Sequence, residues 1–180
     1  GKEAFLSEEF TDGPVYTHIC LEDYNARKDG GEFNRKEFKS DPSAYKSSFL
    51  PYACAADIFI AGHFYAEGSP CIISREDFRH PQIRLKVVAD ISCDIDGPVA
   101  CTLRPSSVAN PVYGYDPVNE IECSIDTPGS ITVMAIDNLP CELPRDASEG
   151  FGREMLDHIF PLLIGGDKDG ILAGARETNL

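Results

Sequence analysis

The stretch LKVVADISCDID, residues 85–96, limits what this chain can fold into more than any other. Leu85, Val87, Val88, Ala89 and Ile91 form a short apolar run with β-branched members, the pattern of a strand buried on both faces of a parallel sheet. The run gives way to Asp90, Ser92, Asp94 and Asp96, and Gly97-Pro98 then breaks the chain. In an open α/β sheet, ligands sit just beyond the carboxyl ends of the strands, so a strand feeding a carboxylate-rich loop marks a candidate site. Taken singly, each of these aspartates also suits a turn or a helix cap. Their density directly after a buried strand is what points to chemistry.

Further strands are expected along the chain. Residues 56–62 (ADIFIAG) read as a second buried strand, followed by His63 and by Phe64, which is expected to pack at the strand end. Residues 131–136 (ITVMAI) end in a polar turn, Asp137-Asn138, closed by Pro140. Residues 121–125 and the alternating segment 15–21 (VYTHICL) suit strands too. If 85–91 and 131–136 run parallel as neighbours, their two acidic turns lie side by side at one edge of the sheet. Ser74 and Asp77 have the spacing of a capping box. The polar segment 22–48 reads as a long surface loop pinned down by Phe33, Phe38, Tyr45 and Phe49. A helix is expected over 146–163, opened by Asp146 and Glu149 as a capping box and stopped by Gly165-Gly166. Phe151, Met155, Ile159, Leu162 and Leu163 recur on it at helical spacing. Strands, crossovers and one amphipathic helix in 180 residues favour a single α/β domain.

Composition excludes some functions. The net charge of −14 leaves no basic face for nucleic acid or an anionic membrane. No run approaches the ~20 apolar residues of a membrane span. The seven cysteines are scattered without a CxxC pair, and the four histidines are equally dispersed, so no metal site is expected. An odd, scattered set of thiols suits reduced, mostly buried cysteines and a cytoplasmic protein.

Two segments carry a resemblance. DISCDIDGPVACTLRPSSVANPVYGYDP followed by ITVMAIDNLPCELPRDASEGFG resembles the saccharopine dehydrogenase (lysine-forming) and lysine–ketoglutarate reductase family, and more distantly alanine dehydrogenase and the transhydrogenase nucleotide domain. The similarity runs from about residue 56 to 160, and IDNLPCELPRDAS is its most specific part.

The resemblance implies a partial Rossmann-type domain, doubly wound around a mainly parallel sheet, with a C-terminal amphipathic helix. No GxGxxG occurs in the sequence, so residues 1–180 would be the later part of an NAD(P)-binding domain plus that helix. The glycine-rich first unit and an N-terminal partner domain would lie outside it. NAD or NADP would bind in the full-length protein, hydride would move at a C–N bond of an amino-acid substrate, and the isolated chain would be inactive. A homodimer is among the assemblies the resemblance allows. Carried over by position, Gly62 and His63 would line the adenosine side of the cofactor, and Ile91 and Ser92 would approach the nicotinamide. Ile136, Asn138 and Leu139 would pack near nicotinamide and substrate, with Asp94 and Asp137 as the functional carboxylates. Two other readings stay open: an alanine-dehydrogenase-like enzyme, and a stand-alone non-catalytic module that binds nucleotide or protein. The missing glycine loop favours the second of these.

Overall fold

The computed structural model of the chain describes all residues except 9, 11, 12, 64, 66, 67 and 177–180, so Phe64 lies outside the described residues. The chain forms two compact units, Gly1–Asp137 and Asn138–Leu180.

In the first unit, a short antiparallel pair, β1 (Asn25–Arg27) and β2 (Tyr45–Ser47), stands apart from a five-stranded sheet. The sheet is built from β3 (Ile58–Ala61), β4 (Val87–Asp90), β5 (Tyr113–Asp116), β6 (Ile121–Cys123) and β7 (Ile131–Met134), in the order β3-β4-β7-β5-β6. β3, β4 and β7 are parallel neighbours, whereas β5 runs antiparallel to both β7 and β6. The fold is therefore α/β with a mixed sheet, a partial Rossmann-like domain. β5 was not foreseen from the sequence. It lies in a segment rich in Ser, Pro and Asn, and it is held by pairing with β6 on one edge and with β7 on the other, where the buried Tyr113 and Tyr115 stand across from Val133 and Ile131.

Register decides which side chains reach the core. Phe59 pairs with Val88, Ala61 with Asp90, and Val88 with Val133, so these residues share one face. Ala61, Val88 and Val133 on that face join Ala53, Ile73, Phe78, Val99, Cys101 and Tyr115 in one buried cluster. The other face is different. Ile58 and Ile60 remain 59% and 64% exposed, and Val87, Ala89, Thr132 and Met134 are only half-buried. The expectation that 56–62 and 85–91 are buried on both faces is thus corrected. The helices Leu50–Ala55 and Arg75–Phe78 send Ala53 and Phe78 into the cluster on the first face, and β3 is an edge strand.

The segment 15–21 is not a strand. Residues 13–20 are irregular, with Val15 and Tyr16 exposed, and a short helix, Leu21–Tyr24, starts where the strand was expected to end. Alternation alone is insufficient without a partner strand in register. The 22–48 segment is more than a loop: it holds β1, β2 and the helix Arg35–Ser40, its Phe33, Phe38 and Tyr45 rings pack on one another 5.2 to 5.5 Å apart, and of the four aromatics Phe49 joins the main core. The Ser74–Asp77 capping box forms and opens the helix Arg75–Phe78.

The second unit is helical: Pro144–Glu154, one wide π turn at Met155–Ile159, then Phe160–Gly165 ended by Gly166 at φ 92°. The expected Asp146–Glu149 capping box is absent. Pro144 occupies the first turn instead, and Glu149 pairs with Arg153 one turn on. None of this helix's residues is buried, and Phe151 and Leu163 are exposed.

Candidate functional site

The site starts from Asp90, the last residue of β4 and fully buried. Its Oδ1 accepts hydrogen bonds from Ser92 N (3.1 Å), Ser92 Oγ (2.6 Å) and Cys93 N (3.2 Å). Its Oδ2 accepts one from the buried hydroxyl of Thr102 at 2.6 Å. Four donors on one carboxylate fold the chain sharply after the strand, and this holds Cys93 and Asp96 at φ 54° and 52°, left-handed values that non-glycine residues rarely adopt. Gly97 closes the turn on Asp94: a Cβ at position 97 would lie 2.7 Å from both the Asp94 Cβ and its carbonyl oxygen. Asp94 is left half-buried, and among the described residues its carboxylate takes part in no hydrogen bond or ion pair. Ile91 is 46% exposed, an apolar side chain at the open end of the strand.

β7 ends beside it. Ala135 is clamped from both sides: Ser106 Oγ accepts from Ala135 N (2.9 Å), while Ser106 N donates to Ala135 O (2.8 Å). Cys93 Sγ also donates to Ala135 O at 3.1 Å, tying the loop after β4 to the end of β7. Ile136 is buried next to the clamp, and Asp137 emerges exposed. Asp137 borders an open cleft of about 780 Å³ with Ser106, Tyr113 and Arg104. That arginine is held by Glu122 through two 2.7 Å hydrogen bonds and lies 4.5 Å over the Tyr113 ring. Burial raises the Cys93 thiol pKa, and Asp90, Asp137 and Asp94 add to the shift, so three carboxylates surround one thiol.

At the end of β3, Gly62 is exposed, with nothing within 4 Å of where a Cβ would stand. His63 is half-buried, and both ring nitrogens are closed to solvent without a hydrogen-bond partner among the described residues. Burial holds its pKa below the usual histidine range, against smaller opposing effects of Asp90 and Asp94. Gly62 and His63 line a groove of about 1220 Å³ together with Ile58, Ile60, Ile19 and Tyr52.

The parallel register thus brings Gly62 and His63, Ile91, Ser92 and Asp94, and Ile136 and Asp137 to the carboxyl ends of three adjacent strands. The two acidic turns do lie side by side. Asp137 and His63 border different clefts. Asn138 and Leu139 belong to the second unit, where Asn138 O accepts from Cys141 N at 3.1 Å at the start of the turn Leu139–Glu142. The sequence reading missed Ser106 and Thr102, whose hydroxyls hold the loops, because nothing in a Ser- and Pro-rich segment marks one hydroxyl as a clamp. The seven cysteines are free, but only Cys101 is buried, which corrects the expectation of mostly buried thiols. Five are half-buried because they sit in strand-end loops and on half-covered elements, and Cys141 is exposed.

Parallel strands that end together in loops bearing carboxylates and a histidine, in a sequence without a glycine-rich phosphate turn, define part of a Rossmann-like domain. Comparison with known proteins narrows this. No family model matches the chain. It is 26% identical over 159 residues to the mitochondrial alpha-aminoadipic semialdehyde synthase of Mus musculus, which covers 77% of the chain and 17% of that protein. It is 27% identical over 151 residues to the saccharopine dehydrogenase [NAD(+), L-lysine-forming] of Schizosaccharomyces pombe, covering 83% of the chain and 35% of the relative. The Candida albicans saccharopine dehydrogenase is 31% identical over 110 residues, 59% of the chain and 27% of the relative. These similarities bear out the resemblance to the saccharopine dehydrogenase family. The chain spans about a third or less of the length of these relatives.

Proposed function

We propose that the chain forms the later part of the nucleotide-binding domain of an NAD(P)-dependent amino-acid dehydrogenase of saccharopine type, in which hydride moves at a C–N bond. The observation that carries this reading is the alignment of three parallel strands whose ends lead into His63, Asp94 and Asp137, in a chain similar to saccharopine dehydrogenases over about four-fifths of its length. When bound, a nicotinamide ring supplies the hydride acceptor or donor. The residues present suit that end of a dinucleotide. Ile91 offers an exposed apolar wall and Asp94 a carboxylate without a partner among the described residues, while Gly62 leaves open space on the adenosine side, next to His63. They do not suit a pyrophosphate, which needs main-chain N–H groups of a glycine turn at a helix start. In this reading, the turn and the opposing wall of the cleft come from polypeptide outside these residues. Ser92 completes the cofactor side within the first unit.

The carboxylates of Asp94 and Asp137 orient the substrate amine and stabilise positive charge that develops on its nitrogen. The test uses the complete polypeptide with saccharopine and, in turn, NAD+ and NADP+. Saccharopine-dependent reduction of one of them is expected. Asp94→Asn or Asp137→Asn should then lower turnover by at least ~10-fold, about 1.4 kcal/mol of transition-state stabilisation, with circular dichroism unchanged. Turnover of L-alanine alone, or full activity in both variants, would overturn the reading.

A further inference from the structure

The turns after β4 and β7 are joined by one side chain. Backbone pairing between these strands ends at Ala89 and Met134, short of Asp94 and Asp137. Past that point the Cys93 thiol donates to Ala135 O at 3.1 Å, the one hydrogen bond between residues 91–96 and 135–137 among the described residues. The same carbonyl accepts from Ser106 N at 2.8 Å, and Ser106 Oγ accepts from Ala135 N at 2.9 Å. Ala135 is thus fixed from the segment before β5, and the thiol ties the acidic loop to that fixed point.

Cys93 is also anchored from below. Its amide donates to the buried Asp90 carboxylate at 3.2 Å, and its φ of 54° is a left-handed value that the turn imposes. The thiol stays a donor. Burial pushes its pKa up, the charges of Asp90, Asp137 and Asp94 push it further, and only the protonated sulfur can donate to a carbonyl. An S–H···O bond is weak, so this one adds little to stability. It acts, however, where nothing else ties the loop of Asp94 to β7, and a small misplacement of a catalytic group is costly in rate.

We propose that Cys93 is a positioning residue: its thiol locks the loop after β4 onto the end of β7 and thereby sets the separation of Asp94 and Asp137. This rests on the dehydrogenase reading for what the two carboxylates do, whereas the lock itself is a matter of geometry. The sulfur acts through the carboxylates and forms no bond to substrate.

The test has two arms. Cys93→Ala removes the thiol and keeps the β-carbon, so the backbone meets the same strain and the change isolates the hydrogen bond. In NMR of the 180-residue chain, this variant should move the Ala135 carbonyl signal and the amide signals of Asp94 and Asp137, and leave those of Ala61 and Tyr115 in place. Cys93→Ser, a stronger donor on a shorter bond, should return them toward the parent. In the complete polypeptide with saccharopine, Cys93→Ala should lower kcat by about 3–10-fold, with KM for the dinucleotide changed less than about 2-fold. Serine should recover part of that loss. In an Asp94→Asn background, Cys93→Ala should change kcat less than about 2-fold, because the carboxylate it places is gone. The urea midpoint should stay within about 0.5 M of the parent, so that instability does not account for the rate. Unmoved Ala135 and Asp137 signals in Cys93→Ala overturn the proposal. So does parental kcat in that variant of an enzyme that Asp94→Asn impairs, or an equal loss in both backgrounds. A complete polypeptide without saccharopine activity would remove the dehydrogenase reading and leave the lock to be decided by the NMR arm.

Discussion

Replacing Asp90 by alanine should destabilise the chain more than any change to the exposed acids nearby. The carboxylate is fully buried and accepts four hydrogen bonds, from Ser92 N, Ser92 Oγ, Cys93 N and Thr102 Oγ1. Alanine orphans the Thr102 hydroxyl, itself fully buried, at about 1–3 kcal/mol. The Ser92 and Cys93 amides are only half-buried, so water replaces part of what they lose and they add about 1 kcal/mol together. The left-handed Cys93 is then free to relax, since the interaction that held it is gone. A loss of about 2–4 kcal/mol follows, a large share of the 5–15 kcal/mol that holds a typical domain together. With a urea slope of about 2 kcal/mol per molar, the midpoint should drop by about 1–2 M. Asp90→Asn retains Oδ1 and its three donors, and Thr102 can turn to accept from the new amide, so about 1 kcal/mol is expected. Urea unfolding followed by circular dichroism measures all three proteins at a common slope. An alanine variant within about 1 kcal/mol of the parent would refute the argument that Asp90 organises the turn.

Gly97→Ala should cost about 1–3 kcal/mol in the same assay and displace Asp94, because the added Cβ lies 2.7 Å from two Asp94 atoms; an unchanged midpoint and loop would contradict that contact. Tyr115→Phe should leave stability unchanged or raise it by up to about 1 kcal/mol, since its buried hydroxyl has no partner among the described residues and burial pushes the phenol pKa up to about 12; a clear loss of stability would reveal a partner. Burial keeps folded His63 below the ordinary histidine value of about 6.5, so in acid the unfolded chain binds the extra proton and stability falls as pH drops through about 6.5 toward the lower folded value. His63→Gln should flatten that part of a stability-against-pH curve, and an unaltered slope would count against a buried neutral ring.

The sequence alone determined the elements whose signal is local. The run at 85–91 and the run at 131–136 are strands because β-branched residues followed by turn formers leave few alternatives. Gly165-Gly166 stops the helix Phe160–Gly165 because Gly166 takes a positive φ without penalty. The acidic loop could be placed at a carboxyl edge from its position after a strand. Only the tertiary structure decided what each residue there does. Asp90 and Asp94 look alike in DISCDID, yet strand parity turns Asp90 into the core beneath the loop and leaves Asp94 without a partner among the described residues. Ser106, Thr102 and β5 were invisible because their roles depend on partners that approach from 12 to 29 residues away, the Asp90 carboxylate for Thr102 and the Ala135 backbone for Ser106. The segment 15–21 and the faces of β3 were misread for the same reason. A side-chain pattern records what one strand could bury, and whether a neighbour arrives to pair with it or cover it is settled by the rest of the fold.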